Sequence, residues 1–365
     1  MGIEKIILNI LMGICRPFML LFPIKKNKVT FISLTMKTLS GDFEKIVEEL
    51  KEHDVDMHFN LVKFEKTLFG KFKYLLNCFL QLYEVSTSSV IIINDNNYVI
   101  SKWKRKGVKI IQIWHACGAV KKFGNQIKRE YHIQNYDYVI SCSDEWKTAF
   151  SEAFDISKDN VISCGLPRTD ELCHEDSIQQ LRDGMYEKYP ILKNAYIYLY
   201  APTFRGNIIG GFRYEKVNLL NMIEKLPQNT IILYKMHPLL GNIDMGKHER
   251  ILNMNNEDLN SLLCVSDCLI SDYSSVIFDY SIVGKQTIFY VPDLEEYKNT
   301  IGLNVNYDEM PGDICYSEEQ LLESMKKQIS SKDKRLDLFS KKYFKYTDGN
   351  NAKRIANLIN EIVNG

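Results

Sequence analysis

A chain of 365 residues, 45% hydrophobic and 25% charged, is long enough for two domains with separate cores, and its composition excludes a disordered polypeptide. Lysine plus arginine and aspartate plus glutamate both number 46, so no global basic field advertises nucleic acid and only local charge clusters carry information. The nine cysteines are scattered, several inside apolar runs such as those around Cys142 and Cys264, without CxxC pairs or zinc-ligand spacing. They read as reduced core cysteines of a cytosolic protein, with no structural metal.

From Ile6 to Phe22 the chain is almost wholly apolar, and Lys5, Asn9, Gly13 and Arg16 recur at helical spacing as one narrow polar stripe. The run is short for a bilayer crossing, is interrupted by Arg16-Pro17, and is followed by Lys25, Lys26 and Lys28. Residues 1–27 are therefore expected to form an amphipathic helix at a membrane surface, with the lysines against anionic headgroups; packing on the protein's own surface is the alternative. No small-residue cleavage site follows, which argues against a secretory signal.

Apolar, β-branched runs then alternate with helix-like segments. Val29 to Leu34, Met57 to Val62, Val90 to Ile93, Val108 to Ile113 and Tyr138 to Ile140 read as strands, and Phe43 to Leu50 and Leu68 to Tyr83 as helices. The rhythm resumes at Tyr196 to Tyr200, Ile231 to Lys235, Cys268 to Ile270 and Thr287 to Tyr290. The alternating tyrosines 196, 198 and 200 belong to a core. The polar helix-like stretch from Asp170 to Tyr189, ending at Pro190, reads as the connector. The expected organisation is an α/β protein with a doubly wound domain over residues 28–175, another over 190–345, and a C-terminal helix over 346–365.

The unusual residues gather at predicted strand ends, where open α/β sheets bind ligands. His115 follows one strand in Trp114-His115-Ala116-Cys117-Gly118, and His237 follows another in Met236-His237-Pro238. Thr203-Phe204-Arg205 ends a third, and Asp272-Tyr273-Ser274-Ser275 joins a fourth to a helix. That last turn points backbone N–H groups, a helix dipole and two hydroxyls at one place, a suitable seat for a diphosphate. Lys121, Lys122, Lys128 and Arg129 form either a solvated basic face or the seat of an acidic acceptor. In Gly165-Leu166-Pro167-Arg168-Thr169-Asp170, Arg168 either steadies the domain junction or reaches phosphate.

Trp114-His115, Gly165 to Asp170, Tyr200 to Arg205, Lys235-Met236-His237-Pro238 and Ser271 to Ser275, in this order, resemble the CDP-glycerol glycerophosphotransferase family of teichoic-acid synthesis. The likeness spans about residues 28 to 345 and departs from Trp-His-Gly-Thr-Pro after His115. It implies a GT-B-like fold, two facing Rossmann-like domains with the site between them, in an enzyme on the cytoplasmic face of a bacterial membrane. It further implies attack by an acceptor hydroxyl on the β-phosphorus of CDP-glycerol or CDP-ribitol, releasing CMP and needing no cofactor. The resemblance assigns catalysis to His115 and His237, and the donor diphosphate and nucleotide to Thr203, Arg205, Lys235, Asp272, Ser274 and Ser275. It leaves the acceptor, a lipid-linked polyol phosphate or glycan, to Lys121, Lys122 and Arg168. A glycosyltransferase using a nucleotide sugar, and a noncatalytic protein binding anionic polymers, are the competing readings.

Overall fold

The computed structural model describes residues 3–65, 67–207, 211–241, 243–329 and 331–365; Met1 and Gly2 of the predicted anchor lie outside them. The chain divides into two compact units, the first comprising residues up to Ala116 with Phe123–Asp170 and Asn350–Gly365, the second Cys117–Lys122 with Glu171–Gly349.

The first unit is a six-stranded parallel sheet. Its strands are β1 (Lys25–Ser33), β2 (Asp56–Leu61), β3 (Ser88–Ile93), β4 (Lys109–Gln112), β5 (Tyr138–Ser141) and β6 (Val161–Ser163). They lie in the order β2-β1-β3-β4-β5-β6, so the winding reverses beside β1 and β3. The branched side chains Val90 to Ile93 are buried in mid-sheet, as a sheet covered on both faces requires. Phe43, Ile46, Val47 and Leu50 turn one stripe of the helix Gly41–Leu50 inward.

The C-terminal helix, Asn351–Asn364, belongs to this first unit and not to a separate tail. Ala352, Ile355, Ala356, Ile359 and Val363 bury one face of it, and the Asp170 carboxylate caps its start by accepting from the backbone N–H groups of Asn351 (2.9 Å) and Ala352 (3.0 Å). Gly165 makes the approach possible: it has a positive φ of 81°, and a Cβ there would stand 2.2 Å from Asn351 Oδ1. The motif from Gly165 to Asp170 thus docks a remote helix. A linear division at residues 175, 190 and 346 misses this, because capping and burial of the last helix are long-range.

The second unit repeats the architecture with β7 (Tyr196–Tyr200), β10 (Thr230–Tyr234), β11 (Ile251–Asn253), β12 (Cys268–Ser271), β13 (Gln286–Tyr290) and β14 (Asp313–Cys315), in the order β11-β10-β7-β12-β13-β14. Between β7 and β10 an antiparallel hairpin forms from β8 (Arg205–Asn207) and β9 (Gly211–Arg213). Tyr198 and Tyr200 are core residues. The predicted connector is the helix Glu175–Lys188, part of this unit, tied down by Arg182 donating to the Cys264 carbonyl at 2.7 Å. Strands β6, β8, β9, β11 and β14 were not expected from sequence; each is three residues long, too short to show a period.

The N-terminal helix, Ile3–Met19, sits with its polar stripe against the first unit. Tyr98 donates to Asn9 Oδ1 at 2.7 Å, Lys5 pairs with Glu130, and the Arg16 guanidinium lies 5.6 Å from the centre of the Trp103 ring. Leu8 and Met12 are buried, whereas Ile7, Ile10, Ile14, Phe18 and Leu21 are exposed, Leu21 by 80%. The apolar face therefore points outward, the reverse of an ordinary surface helix. Lys28 corrects the expectation of a headgroup contact: it is 1% exposed, paired with Glu84 at 2.6 Å and bonded to Thr87.

Candidate active site

In the first unit the site is built around a strained corner. Trp114 follows β4 with a positive φ of 58°, uncommon for a bulky residue. That conformation turns the buried Trp114 ring against Phe123 and Phe154 and leaves His115 exposed beside it, ring centroids 3.9 Å apart. The fully buried Gln112 holds the corner: its Oε1 accepts from Trp114 N and its Nε2 donates to the Asp95 carbonyl, both at 2.8 Å. Asp95 itself accepts from Leu34 N at 2.7 Å, and burial pushes its carboxyl up to about 7. Strand ends β1, β3 and β4 are thereby joined.

His115 Nδ1 lies 3.1 Å from the Asn94 carbonyl oxygen. A carbonyl only accepts, so Nδ1 carries the proton and the neutral ring has its basic lone pair on Nε2. Arg168 braces the same loop. Its Nη1 donates to the His115 carbonyl at 2.8 Å, while Nε and Nη2 clasp Asp42 Oδ2 at 3.1 and 2.6 Å. Arg168 was expected either to steady the domain junction or to reach phosphate; its partners here, Asp42 and the His115 carbonyl, both lie within the first unit, and Asp42 matches its charge.

The second unit holds a denser cluster of its own. Arg205 is 3% exposed and its guanidinium is shared by Asp293, bonded to Nε at 2.9 Å and Nη2 at 3.0 Å, and by Asp272, bonded to Nη1. Asp272 also accepts from Thr203 N at 2.8 Å, and Tyr273 donates to Asp293 at 2.9 Å. Arg205 and Asp272 are thus a neutralised internal strut rather than a free anion clamp. Burial raises the Asp272 carboxyl against the opposing pull of Arg205.

The cation of this cluster is Lys121. Its Nζ donates to Thr203 Oγ1 at 3.3 Å and lies 4.2 Å from the centre of the Phe204 ring, and among the described residues no carboxylate pairs with it. Desolvation pushes its ammonium down to about 8; Asp272 opposes this and Arg205 adds to it. Sequence grouped Lys121 with Lys122, but Lys122 is exposed and its stem runs along Gly302.

His237, after β10, packs edge-on against Phe204 with centroids 4.7 Å apart. Its Nδ1 accepts from Leu239 N at 3.2 Å, so the proton of the neutral ring is on Nε2. The two histidines thus have opposite tautomers: His115 presents a base, His237 a donor. The turn from Asp272 to Ser275 leads from β12 into the helix Val276–Val283 as expected; Ser274 accepts from Val276 N at 3.4 Å and the Ser275 side chain makes no capping bond. Lys235 does not join the cluster. Its Nζ donates to the carbonyls of Asn255 (3.0 Å) and Glu257 (2.7 Å), fixing the loop after β11.

The residues that sequence reasoning missed are Gln112, Asp42 and Asp293. Gln112 lay inside an apolar run and the two aspartates in unremarked helix and strand ends; their pairing with Trp114, Arg168 and Arg205 exists only after folding.

The chain matches the family model described as CDP-glycerol:poly(glycerophosphate) glycerophosphotransferase over residues 14–361. It is 32% identical to the teichoic acid ribitol-phosphate primase of Bacillus spizizenii, across 94% of this chain and 93% of that one. It is also 32% identical to the teichoic acid glycerol-phosphate primase of Bacillus subtilis, across 76% and 74%. The solved wall teichoic acid polymerase TagF superposes over all of this chain and 98% of its own with a TM-score of 0.75 at 22% identity, a likeness of fold. An archaeal UDP-GlcNAc 2-epimerase from Methanocaldococcus jannaschii superposes with a TM-score of 0.53 at 12% identity, so the GT-B-like fold is not peculiar to one chemistry. The chain belongs to the CDP-glycerol glycerophosphotransferase family.

Two measurements check this geometry. Nitrogen-15 NMR of the imidazoles above their pKa will show His115 as the Nδ1–H tautomer and His237 as Nε2–H. Replacing Gln112 by Leu strands Trp114 N and the Asp95 carbonyl, should cost about 2 to 3 kcal/mol, and should return His115 to the commoner Nε2–H form. Wild-type His115 signals in that variant would remove Gln112 from the site. For Lys121, the ammonium is present below about pH 8 and lost above it, so an anion bound beside it weakens as pH rises through that value. Calorimetry with inorganic pyrophosphate should show wild-type affinity exceeding that of Lys121→Gln at pH 7, with the difference fading by pH 9 to 10; a constant gap contradicts the assignment.

Proposed function

We propose that this protein transfers a polyol phosphate from a CDP-activated polyol to a hydroxyl of a polyol-phosphate or glycan acceptor, forming a phosphodiester and releasing CMP. The observation that carries this reading is the opposed tautomers of the two histidines. An alcohol is a poor nucleophile near neutral pH, and the Nε2 lone pair of His115 supplies the base that takes its proton as oxygen attacks the β-phosphorus. The bond from that phosphorus to the bridging oxygen breaks, and CMP leaves with the electron pair. His237 Nε2–H, Lys121 and the hydroxyl turn at Ser274 and Ser275 donate to the phosphoryl oxygens as charge builds. Thr203, Arg205 and Asp272 hold that turn in place.

The family description names glycerol, whereas one relative matched over nearly its whole length, at 32% identity, is named for ribitol phosphate, which makes CDP-ribitol a second donor to test. Incubation of purified protein with CDP-glycerol or CDP-ribitol and a lipid-linked acceptor should release CMP with one of them. His115→Ala and His237→Ala should each lower that rate by roughly a hundredfold or more without loss of folding. A nucleotide sugar turning over in their place would move the protein to glycosyl transfer.

The same reading places the protein on a membrane surface. Among the described residues no helix is long and apolar enough to cross a bilayer. The outward face of the N-terminal helix is joined by the helix Leu68–Thr87, which packs beside it and exposes Leu68, Phe69, Phe72, Leu76 and Leu80. The two apolar stripes, with Lys71 and Lys73 exposed on the second helix and Lys25 and Lys26 exposed at the start of β1, suit insertion into an anionic interface. Deleting the helix would strip buried Leu8 and Met12 from the fold, so surface substitution is the cleaner probe. Ile7→Gln, Ile14→Gln and Phe18→Gln together should abolish flotation with anionic vesicles while leaving the melting temperature unchanged; flotation equal to wild type would end the membrane reading.

A further inference from the structure

His237 lies beyond the end of β10, where the hydrogen-bond ladder of the sheet gives out. Successive backbone groups of β10 and its continuation face opposite neighbours: Ile232 N donates to the Arg250 carbonyl at 2.8 Å and the Tyr234 carbonyl accepts from Met254 N at 2.9 Å, whereas Lys235 N donates to Tyr200 of β7 at 3.0 Å. Met236 N therefore faces the side of β11, but β11 stops at Asn253. There Asn253 Oδ1 accepts from Asn255 N at 3.0 Å, a side-chain turn of the kind asparagine favours. Asn255 Oδ1 accepts from Met236 N at 2.7 Å and so supplies the bond that the ladder no longer can. The grip is reciprocal, since the Lys235 ammonium donates to the carbonyls of Asn255 and Glu257. Met236 is buried, and the next side chain in the extended backbone, His237, is turned the other way, against Phe204.

The use made of Asn255 is one-sided. Its oxygen is bonded, while its Nδ2 is buried with no partner among the described residues. A buried idle donor is unfavourable, so the acceptor is what the position needs. The first unit has the same device: Gln112 Oε1 accepts from Trp114 N, again the N–H one residue before a histidine. The bond from Leu239 N to His237 Nδ1 spans only two residues and sets the tautomer locally. What Asn255 sets is the direction of the corner, and with it the direction of Nε2–H.

We propose that Asn255 is a positioning residue for His237, its amide oxygen fixing the strand-end corner from which the imidazole reaches its ligand. The proposal rests on the reading of His237 as a donor to the phosphoryl oxygens, and it gives Asn255 no contact with the reacting atoms.

Two variants of the full chain test it. Asn255→Ala leaves Met236 N to water, and Asn255→Asp restores an acceptor oxygen without the idle donor. In the alanine variant the His237 ring protons should lose the NMR shift that the Phe204 ring imposes, while the Nε2–H tautomer persists. Its kcat for CMP release from CDP-glycerol or CDP-ribitol should fall about tenfold, with KM for that donor within about twofold of wild type. The aspartate variant should recover the ring shift and most of kcat. Wild-type ring shifts or wild-type kcat in Asn255→Ala would overturn the proposal. So would a raised KM at unchanged kcat, which would make Asn255 a ligand contact, or a folded aspartate variant no better than the alanine one. Should the alanine variant not fold, the ring shift of Asn255→Asp decides alone, its retention supporting the proposal and its loss overturning it. The shifts are read on the resting protein, so a wild-type chain that releases no CMP from either donor would refute the functional reading while the positioning of His237 is still measured.

Discussion

A single guanidinium organises the polar cluster of the second unit. Arg205 sits in the interior between Asp272 and Asp293, and through them it fastens the ends of β7, β12 and β13 to one another. Burying three charges is expensive, and their mutual attraction repays it only with good geometry and further hydrogen bonds. Here the geometry is two-pronged on Asp293, and the remaining oxygens are satisfied by Thr203 N and the Tyr273 hydroxyl. Removing one partner would leave uncompensated buried charge, typically about 3 to 5 kcal/mol. Such a node fixes register more than it adds stability, and what it registers is the turn carrying Ser274 and Ser275.

Because Arg205 is neutralised internally, the cluster's positive charge toward a ligand comes from Lys121. The arrangement separates two tasks that one arginine would otherwise share. Structure is held by a buried ion triad, and the remaining positive charge sits on a half-buried amine that desolvation pushes down to about 8. The first unit shows the same separation in uncharged form. Gln112 and Asp95 hold the strained Trp114 corner, and Arg168 is spent on Asp42 and the His115 carbonyl.

Polarity at the N-terminal helix runs against the usual rule, and the reason is local. Asn9, Gly13 and Arg16 find partners in Tyr98 and Trp103, so the stripe that would ordinarily meet water is used for docking. The isoleucines have no such partners. The apolar surface is thereby kept outward, and the exposed leucines and phenylalanines of the helix Leu68–Thr87 extend it.

The alternation of β-branched runs with amphipathic segments determined the doubly wound class and nearly every long strand, because buried parallel strands and their covering helices each impose a period on the chain. The histidines at strand ends were legible for the same reason: they interrupt that period where a sheet opens to ligands. What only the tertiary structure decided is which polar residues spend their hydrogen-bonding capacity on one another. Arg168, Arg205, Lys28 and Lys235 look alike as free cations in sequence, yet each is claimed by a carboxylate or carbonyl remote along the chain, from 20 residues away for Lys235 to 126 for Arg168. The helix at the C-terminus likewise joins the first unit through Asp170, 181 residues before it. Pairing across such distances leaves no local pattern, since it is set by the three-dimensional approach of segments and not by spacing along the chain.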